Sequence, residues 1–565
     1  MPMDIRCRVR RAIVMRCAHY RTKWLALWLV GILAANAAMA SDALRVVSLK
    51  SPAPEQSMTP FLTATEDGMW LSWLERVEDG HALRLSTWDG ERFGTPSTIH
   101  TSAHFFANWA DFSSILSFGD GRLAAHWLEK AAEGTYEYDV FIALSEDGGK
   151  SWGKPERPHR DATLNEHGFV SLVADDASGF SAVWLDGRGF KKGASDNEMT
   201  LRTTRFDGKA FTEDVLLDGR ICECCQTGMA RTESGLFVAY RNRSAEDTEI
   251  RDISYVRRDG LTGQWTEPKS LHDDGWEIPG CPVNGPQVAA SGNRLAVAWF
   301  TASSSEPKVQ LLFSEDGGAS FAEPIRIDDG RPVGRVDVEW IGEDVVVTWL
   351  ERGEERQGEI RVKRVAPSGG AAPAVIVART ASGRASGFPR MTRFHDEIYV
   401  TWTESYERRG PSQVHVAKLV DEAPLLDEPA FAFEAEDVNG KSYTLGELEG
   451  KVVLLNFWGI WCKSCREEIP HLVTLDERLR ERGLVVLGAD YGDAPEDLPA
   501  YIEEIGMSYP VLLDDGLADD YEVLVFPTSV VIDRTGRVRY RVEGFREKSF
   551  RDLERVVERL LAEDG

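Results

Sequence analysis

The chain has 565 residues, more than one hydrophobic core normally serves, and a formal net charge of −27. Residues 1–40 hold seven Lys or Arg against the single Asp4, so without them the charge falls by a further six, to −33. So acidic a product excludes nucleic acid and anionic membrane surfaces as partners. The basic start is followed by the apolar run Trp24 to Ala37, and then by Ala38-Met39-Ala40 before Ser41. This is the layout of a secretory signal peptide at 1–40, removed on export to the periplasm or the outside together with Cys7 and Cys17. An uncleaved membrane anchor is the alternative, although the run is shorter than the roughly 20 apolar residues a bilayer needs.

Residues 41–420 form an internal repeat. A short strand ending in an aromatic residue recurs at Trp73, Trp127, Trp184, Tyr240, Trp299, Trp349 and Trp402, with spacings of 50 to 59 residues. Each is flanked by further short strands and Gly-rich turns, which predicts four antiparallel strands per repeat and an all-β propeller. The count gives seven blades, with six the alternative. The last repeat lacks a fourth strand, and ALRVVSLK at 43–50 stands alone before the first, so the N-terminal strand is expected to complete the last blade. Two turns, Ser145 to Trp152 and Ser314 to Phe321, share the pattern Ser-Glu-Asp-Gly-Gly followed two residues on by Ser and an aromatic. They resemble the Asp-box, or BNR repeat, of sialidase-like propellers. In that resemblance the Asp bonds turn amides, the glycines take positive φ and the aromatic packs beneath. A glycan- or protein-binding propeller with an accessory redox domain is therefore an alternative function. Glycoside hydrolysis is disfavoured, because nothing in the spacing of Arg384, Arg390 and Tyr406 demands a catalytic arrangement.

Four cysteines lie within the repeats, Cys222, Cys224 and Cys225 in ICECCQTGM and Cys281 in GCPVNGP. Both segments join the outer strand of one blade to the inner strand of the next, in consecutive blades, so they should be neighbours on one face of the ring. Equivalent connections carry His104, His159 and His167, and one rim is expected to gather thiols and imidazoles. Three readings stay open: disulfides that staple adjacent blades, a site for Cu(I) or Zn(II), which thiolate and imidazole suit, or an unpaired reactive thiol. His126, inside a strand, is expected to be structural, with pore lining the lesser reading.

An acidic spacer with two prolines, residues 421–430, precedes a domain at 431–565. There Val452 to Phe457 reads as a central strand and Arg466 to Arg482 as a helix with Ile469, Leu472 and Leu475 on one face. Cys462 and Cys465 straddle the helix start. Unpaired N–H groups and the helix dipole favour a thiolate there, with Lys463 adding positive charge. Cys462, expected to be the more exposed, is the candidate attacking sulfur. The stretch Trp461-Cys462-Lys463-Ser464-Cys465, together with Phe526-Pro527-Thr528 at the head of the strand SVVID, resembles the TlpA/ResA-like branch of the thioredoxin superfamily. The resemblance implies an α/β thioredoxin fold, a cis bond before Pro527, substrate contact at Trp461 and Phe526, and proton movement by Glu468. It also implies thiol-disulfide exchange with no cofactor for the dithiol, thiol- or disulfide-bearing extracytoplasmic partners and a membrane electron donor. Asn456 replaces the buried aspartate of cytosolic thioredoxin, which shifts proton handling towards Glu468. The expected whole is a multidomain oxidoreductase, with the propeller as substrate-, partner- or metal-binding module.

Overall fold

Alternating apolar strands joined by tight turns bury both faces only when blades stack side by side, and seven such sheets follow one another along the chain. The computed structural model describes residues 43–563 apart from 177–178, 192–196, 246–248, 355–356, 406–410, 423–424 and 514–515. The expected leader at 1–40 and Tyr406 lie outside the described residues. The described chain divides into two compact units, Leu44–Val420 and Asp421–Gly565.

In the first unit each blade runs antiparallel in chain order, as in Gly228–Thr232, Gly235–Arg241, Ile253–Asp259 and Lys269–His272. The first strands of successive blades adjoin one another around the ring, and Arg390–Phe394 of the seventh returns to Ser57–Thr65 of the first. Second strands are sandwiched between neighbouring blades, which is why Gly179–Asp186 is buried at every residue and Trp73, Trp127, Trp184, Trp299 and Trp349 are fully enclosed. Ala43–Leu49 pairs with Ser412–Glu422 and completes the seventh blade, as the orphan strand in the sequence predicts. The seam is reinforced where Ser51 donates to the Val414 carbonyl at 2.6 Å and Gln56 N–H to that of Ser412 at 2.7 Å.

The second blade departs from the four-strand expectation. Its sheet holds Ser114–Ser117, Leu123–Lys130 and Tyr138–Ser145, and the fourth strand shrinks to a bridge between Ile142 and Glu156. Pro155 and Pro158 flank that bridge, and neither can donate to a ladder. Both Ser-Glu-Asp-Gly-Gly turns share one geometry. Asp147 accepts from the Ser151 amide at 2.8 Å and hydroxyl at 2.6 Å, Asp316 does the same with Ser320, and Gly148, Gly149, Gly317 and Gly318 all have positive φ. Phe321 packs on Phe237 and Tyr255 below its turn.

The second unit is a six-stranded sheet in the order Glu428–Pro429, Arg537–Glu543, Thr528–Ile532, Val452–Trp458, Leu484–Asp490, Val511–Leu513. Its helices are α1 (Lys463–Leu479), α2 (Leu498–Ile505), α3 (Leu517–Asp520) and α4 (Glu547–Ala562). Val452–Trp458 is buried throughout, parallel to Leu484–Asp490 and antiparallel to Thr528–Ile532. The expected spacer at 421–430 is shorter than its composition suggests. Leu426 N–H bonds the Arg539 carbonyl at 2.7 Å and Glu428–Pro429 forms the sheet edge, so these residues belong to the domain they precede. Among the described residues no helix is long and apolar enough to cross a membrane.

Candidate functional site

The buried strand Val452–Trp458 delivers the chain to α1, and Cys462 caps that helix, its Sγ accepting from the Cys465 amide at 3.2 Å. A sulfur at this position meets the free N–H groups of the first turn, which stabilise negative charge. Cys462 and Cys465 are joined by a disulfide; Cys465 is fully enclosed and Cys462 nearly so. The Ile460 amide donates to Asp493 Oδ2 at 2.6 Å and fixes the approach to the motif. The Phe526–Pro527 bond is cis, and its loop packs on the motif: Ser464 donates to the Phe526 carbonyl at 3.4 Å, and the Trp461 and Phe526 rings meet edge to face at 5.2 Å. Trp461 is 56% exposed and, with the Phe526 and Tyr491 rings packed beside it, gives the disulfide an apolar rim. Lys463 contributes less than its position suggests, because its exposed ammonium lies 3.8 Å from Glu467 Oε1.

Glu468 lies one turn below on the buried face of α1. Asn456 Nδ2 donates to its Oε2 at 2.8 Å, and the Ser529 hydroxyl to its Oε1 at 3.4 Å. Burial pushes the carboxyl up to about 7, and these two donors only partly offset that. A carboxyl poised near neutrality can hold or release a proton at working pH. Sequence reasoning missed Tyr491, Ser529 and Asp493. Tyr491 follows the apolar strand beside the central one, and sites in open α/β sheets gather beyond the carboxyl ends of strands, a rule that would have pointed there.

On the propeller, the segments carrying Cys222, Cys224 and Cys225 and carrying Cys281 do meet. Cys222 Sγ lies 3.3 Å from Cys225 Sγ and 3.8 Å from Cys224 Sγ, and the neighbouring Cys224 is the main cause that holds the Cys281 thiol below its ordinary range. All four are free thiols, with Cys222 and Cys225 buried, Cys224 half-buried and Cys281 exposed. Arg251 Nη1 donates to Cys222 Sγ at 3.2 Å. Burial raises the Cys222 thiol, but its sulfur neighbours and Arg251 outweigh that and hold it well below the ordinary range.

Thiols and imidazoles form separate groups rather than one rim cluster. His159 and His167 stack at 4.0 Å with no exposed side-chain surface, among Asp139, Asp161 and Asp186. Their carboxylates raise His167 to about 9 against its burial. These aspartates gave no signal in the sequence, Asp139 and Asp186 lying on two different strands and Asp161 on the connection between blades. His104 is exposed, whereas His126 is buried with Nδ1 2.7 Å from the Ser114 hydroxyl, and burial lowers it to about 3. Around the ring's axis a cavity of about 270 Å³ is lined by Asp111, Gln226, Glu339 and Arg390 among others. The Tyr138 hydroxyl lies 2.7 Å from Glu166 Oε1 and 3.1 Å from Asp111 Oδ2, and burial raises Asp111 to about 8 and Glu166 to about 7. Arg390 reaches Asp337 at 3.5 Å and Gln287 at 2.9 Å, while Arg384 stands over the Trp109 ring.

A buried central strand feeding a helix whose first turn holds a paired Cys462 and Cys465, opposed by a proline loop, defines a thioredoxin-like domain of the thiol-disulfide oxidoreductase class. The chain belongs through this domain to the AhpC/TSA family, whose match spans residues 426–541. It is similar to thiol-disulfide oxidoreductase ResA of Halalkalibacterium halodurans, 34% identical over 113 residues that cover 20% of this chain and 64% of that protein. To ResA of Bacillus thuringiensis subsp. konkukian it is 31% identical over 130 residues, 23% of this chain and 74% of that protein. Among solved structures, a thioredoxin-family thiol:disulfide interchange protein from Chlorobium tepidum TLS is 30% identical and covers 25% of this chain and all of its own, with a TM-score of 0.23.

Proposed function

We propose that the protein is an extracytoplasmic thiol-disulfide oxidoreductase that acts through Cys462 and Cys465, with the propeller as the module that selects or holds its partner. The observation that carries this is the redox pair at the N-terminus of α1 with Glu468 beneath it and the Pro527 loop across it. In the reducing direction, Cys462 thiolate attacks one sulfur of a substrate disulfide and the other sulfur leaves as a thiolate. Cys465 then attacks Cys462, which releases the substrate as a dithiol and leaves the Cys462–Cys465 disulfide. Two electrons have moved to the substrate, and a dithiol donor on the membrane restores the pair. Glu468 takes the Cys465 proton and returns it to the product side. Trp461 and Phe526 contact the substrate chain, whose source is thiol- or disulfide-bearing extracytoplasmic proteins. The leader-like sequence at 1–40 supports export. The two Asp-centred turns support a sialidase-like propeller in a binding role.

The test is insulin reduction by the full chain with dithiothreitol as donor. Cys462→Ser should abolish turnover, and Cys465→Ser should accumulate a mixed disulfide visible by mass. Turnover unchanged in Cys462→Ser would refute the assignment.

A further inference from the structure

The propeller sulfurs converge on a point rather than forming pairs. Cys222 touches both Cys224 and Cys225, and the loop that carries Cys281 is bonded to theirs through the Gly285 amide and Gln226. A disulfide needs two sulfurs, whereas three or four converging sulfurs are what a metal ion requires. With metal–sulfur bonds of about 2.3 Å, sulfur–sulfur edges in a tetrahedral site are about 3.8 Å. The Cys222 to Cys224 separation is 3.8 Å, and the sulfurs of Cys222, Cys224 and Cys225 all lie within 4.8 Å of one another.

The two loops are held in place before any ligand arrives. The buried Arg241 guanidinium donates to the carbonyls of Asn284 at 2.9 Å, Arg251 at 2.5 Å and Phe300 at 2.6 Å, and the Arg241 carbonyl accepts from Cys222 N–H at 3.0 Å. Gln226 spans from the Ala110 carbonyl to the Gly285 amide. Gly285 sits so close that a Cβ there would stand 1.9 Å from the Gln226 carbonyl oxygen, so the Cys222–Cys225 and Cys281 loops pack backbone on backbone.

Charge permits a cation despite Arg251. Arg251 is paired with Glu223 at 2.8 Å and Glu249 at 2.7 Å, and Arg243 with the same two carboxylates, so the four groups cancel. What remains of Arg251 at Cys222 is an N–H donor to sulfur, the usual role of an outer partner that orients a ligand. We infer that Cys222, Cys224, Cys225 and Cys281 form an all-sulfur site for a thiophilic d10 cation, Cu(I) or Zn(II). The three less exposed sulfurs suffice for Cu(I), and Cys281 completes the four that Zn(II) takes in closed sites.

The experiment uses the full chain carrying Cys462→Ser and Cys465→Ser, so that the redox pair contributes no thiol and the outcome is independent of its activity. Purified anaerobically, it is titrated with Cu(I) against bicinchoninate and separately with Zn(II) against a pyridylazo indicator. One equivalent per chain is expected, with an X-ray absorption spectrum showing only sulfur at about 2.3 Å. Cys224→Ser should weaken binding by at least about 100-fold, more than loss of an outer partner does. Cys281→Ser, at an exposed position that does not threaten folding, should lose Zn(II) and retain Cu(I). The inference is overturned if neither metal binds while all four thiols titrate freely, if binding is unchanged in Cys224→Ser, or if mapping shows these cysteines paired as disulfides in protein isolated from cells.

Discussion

Replacing Glu468 by Gln tests the buried proton site directly. The carboxyl rises from 4.5 to about 7 on folding because it is enclosed at the foot of the redox helix, with Asn456 and Ser529 as its donors. At 1.36 kcal/mol per decade this shift amounts to about 3 kcal/mol. The folded-state value is the higher one, so between pH 4.5 and 7 the folded domain binds more protons than the unfolded chain. Stability is therefore full below about 4.5 and declines as pH rises through about 7. The neutral Gln keeps an acceptor for Asn456 and has nothing to ionise. Hydrogen exchange of the 463–479 peptide in the full chain, corrected for intrinsic rates, reads the opening free energy of this domain alone. Protection in the wild type should fall by about two orders of magnitude between pH 5 and 8, and in Glu468→Gln it should stay flat. The same variant should flatten the limb near pH 7 in the insulin-reduction profile. An equal loss of protection in both proteins would refute the reasoning, since the buried carboxyl would then not be the titrating group.

Three further outcomes follow from packing. Trp461→Ala removes an exposed ring that edges Phe526 and donates to the Tyr491 carbonyl at 3.2 Å, so insulin reduction should fall about tenfold at low substrate while the dithiol's reaction with a small disulfide reagent stays unchanged. Gly149→Ala sets a Cβ 2.4 Å from Leu85 Cδ2 at φ 86°, and chemical denaturation should show the propeller destabilised by about 1–3 kcal/mol. Deleting residues 43–49 exposes the Ser412–Glu422 edge and loses Leu44 from the core, about 2 kcal/mol by burial alone, so limited proteolysis should begin in the seventh blade.

The ring and its closure were legible because each blade repeats a local pattern, and an orphan strand at one end matches a gap at the other. The redox pair was legible for the same reason: strand, cysteines and helix start lie within twenty residues. Lost to the sequence were groups assembled across blades. Asp139, Asp161 and Asp186 surround His159 and His167 only after strands of two blades and the connection between them fold together, and nothing local marks an aspartate for that role. The truncated second blade hid behind Pro155 and Pro158, whose effect on a ladder depends on which side must donate. The end of the expected spacer was not legible, because Pro429 at a sheet edge looks in sequence like a proline in a linker.

The seam of the ring sets an order of assembly. Ser51 bonds a partner 363 residues further along the chain, so the first strand to be made waits for the last blade before it has a neighbour. Loop closure over such a span is slow, and until it happens the Ser412–Glu422 edge of the last blade stays open. The thioredoxin-like domain is made after that partner strand and closes its own sheet from residues 428–543 without it. A chain interrupted before residue 412 therefore leaves Ala43–Leu49 with no strand to pair with.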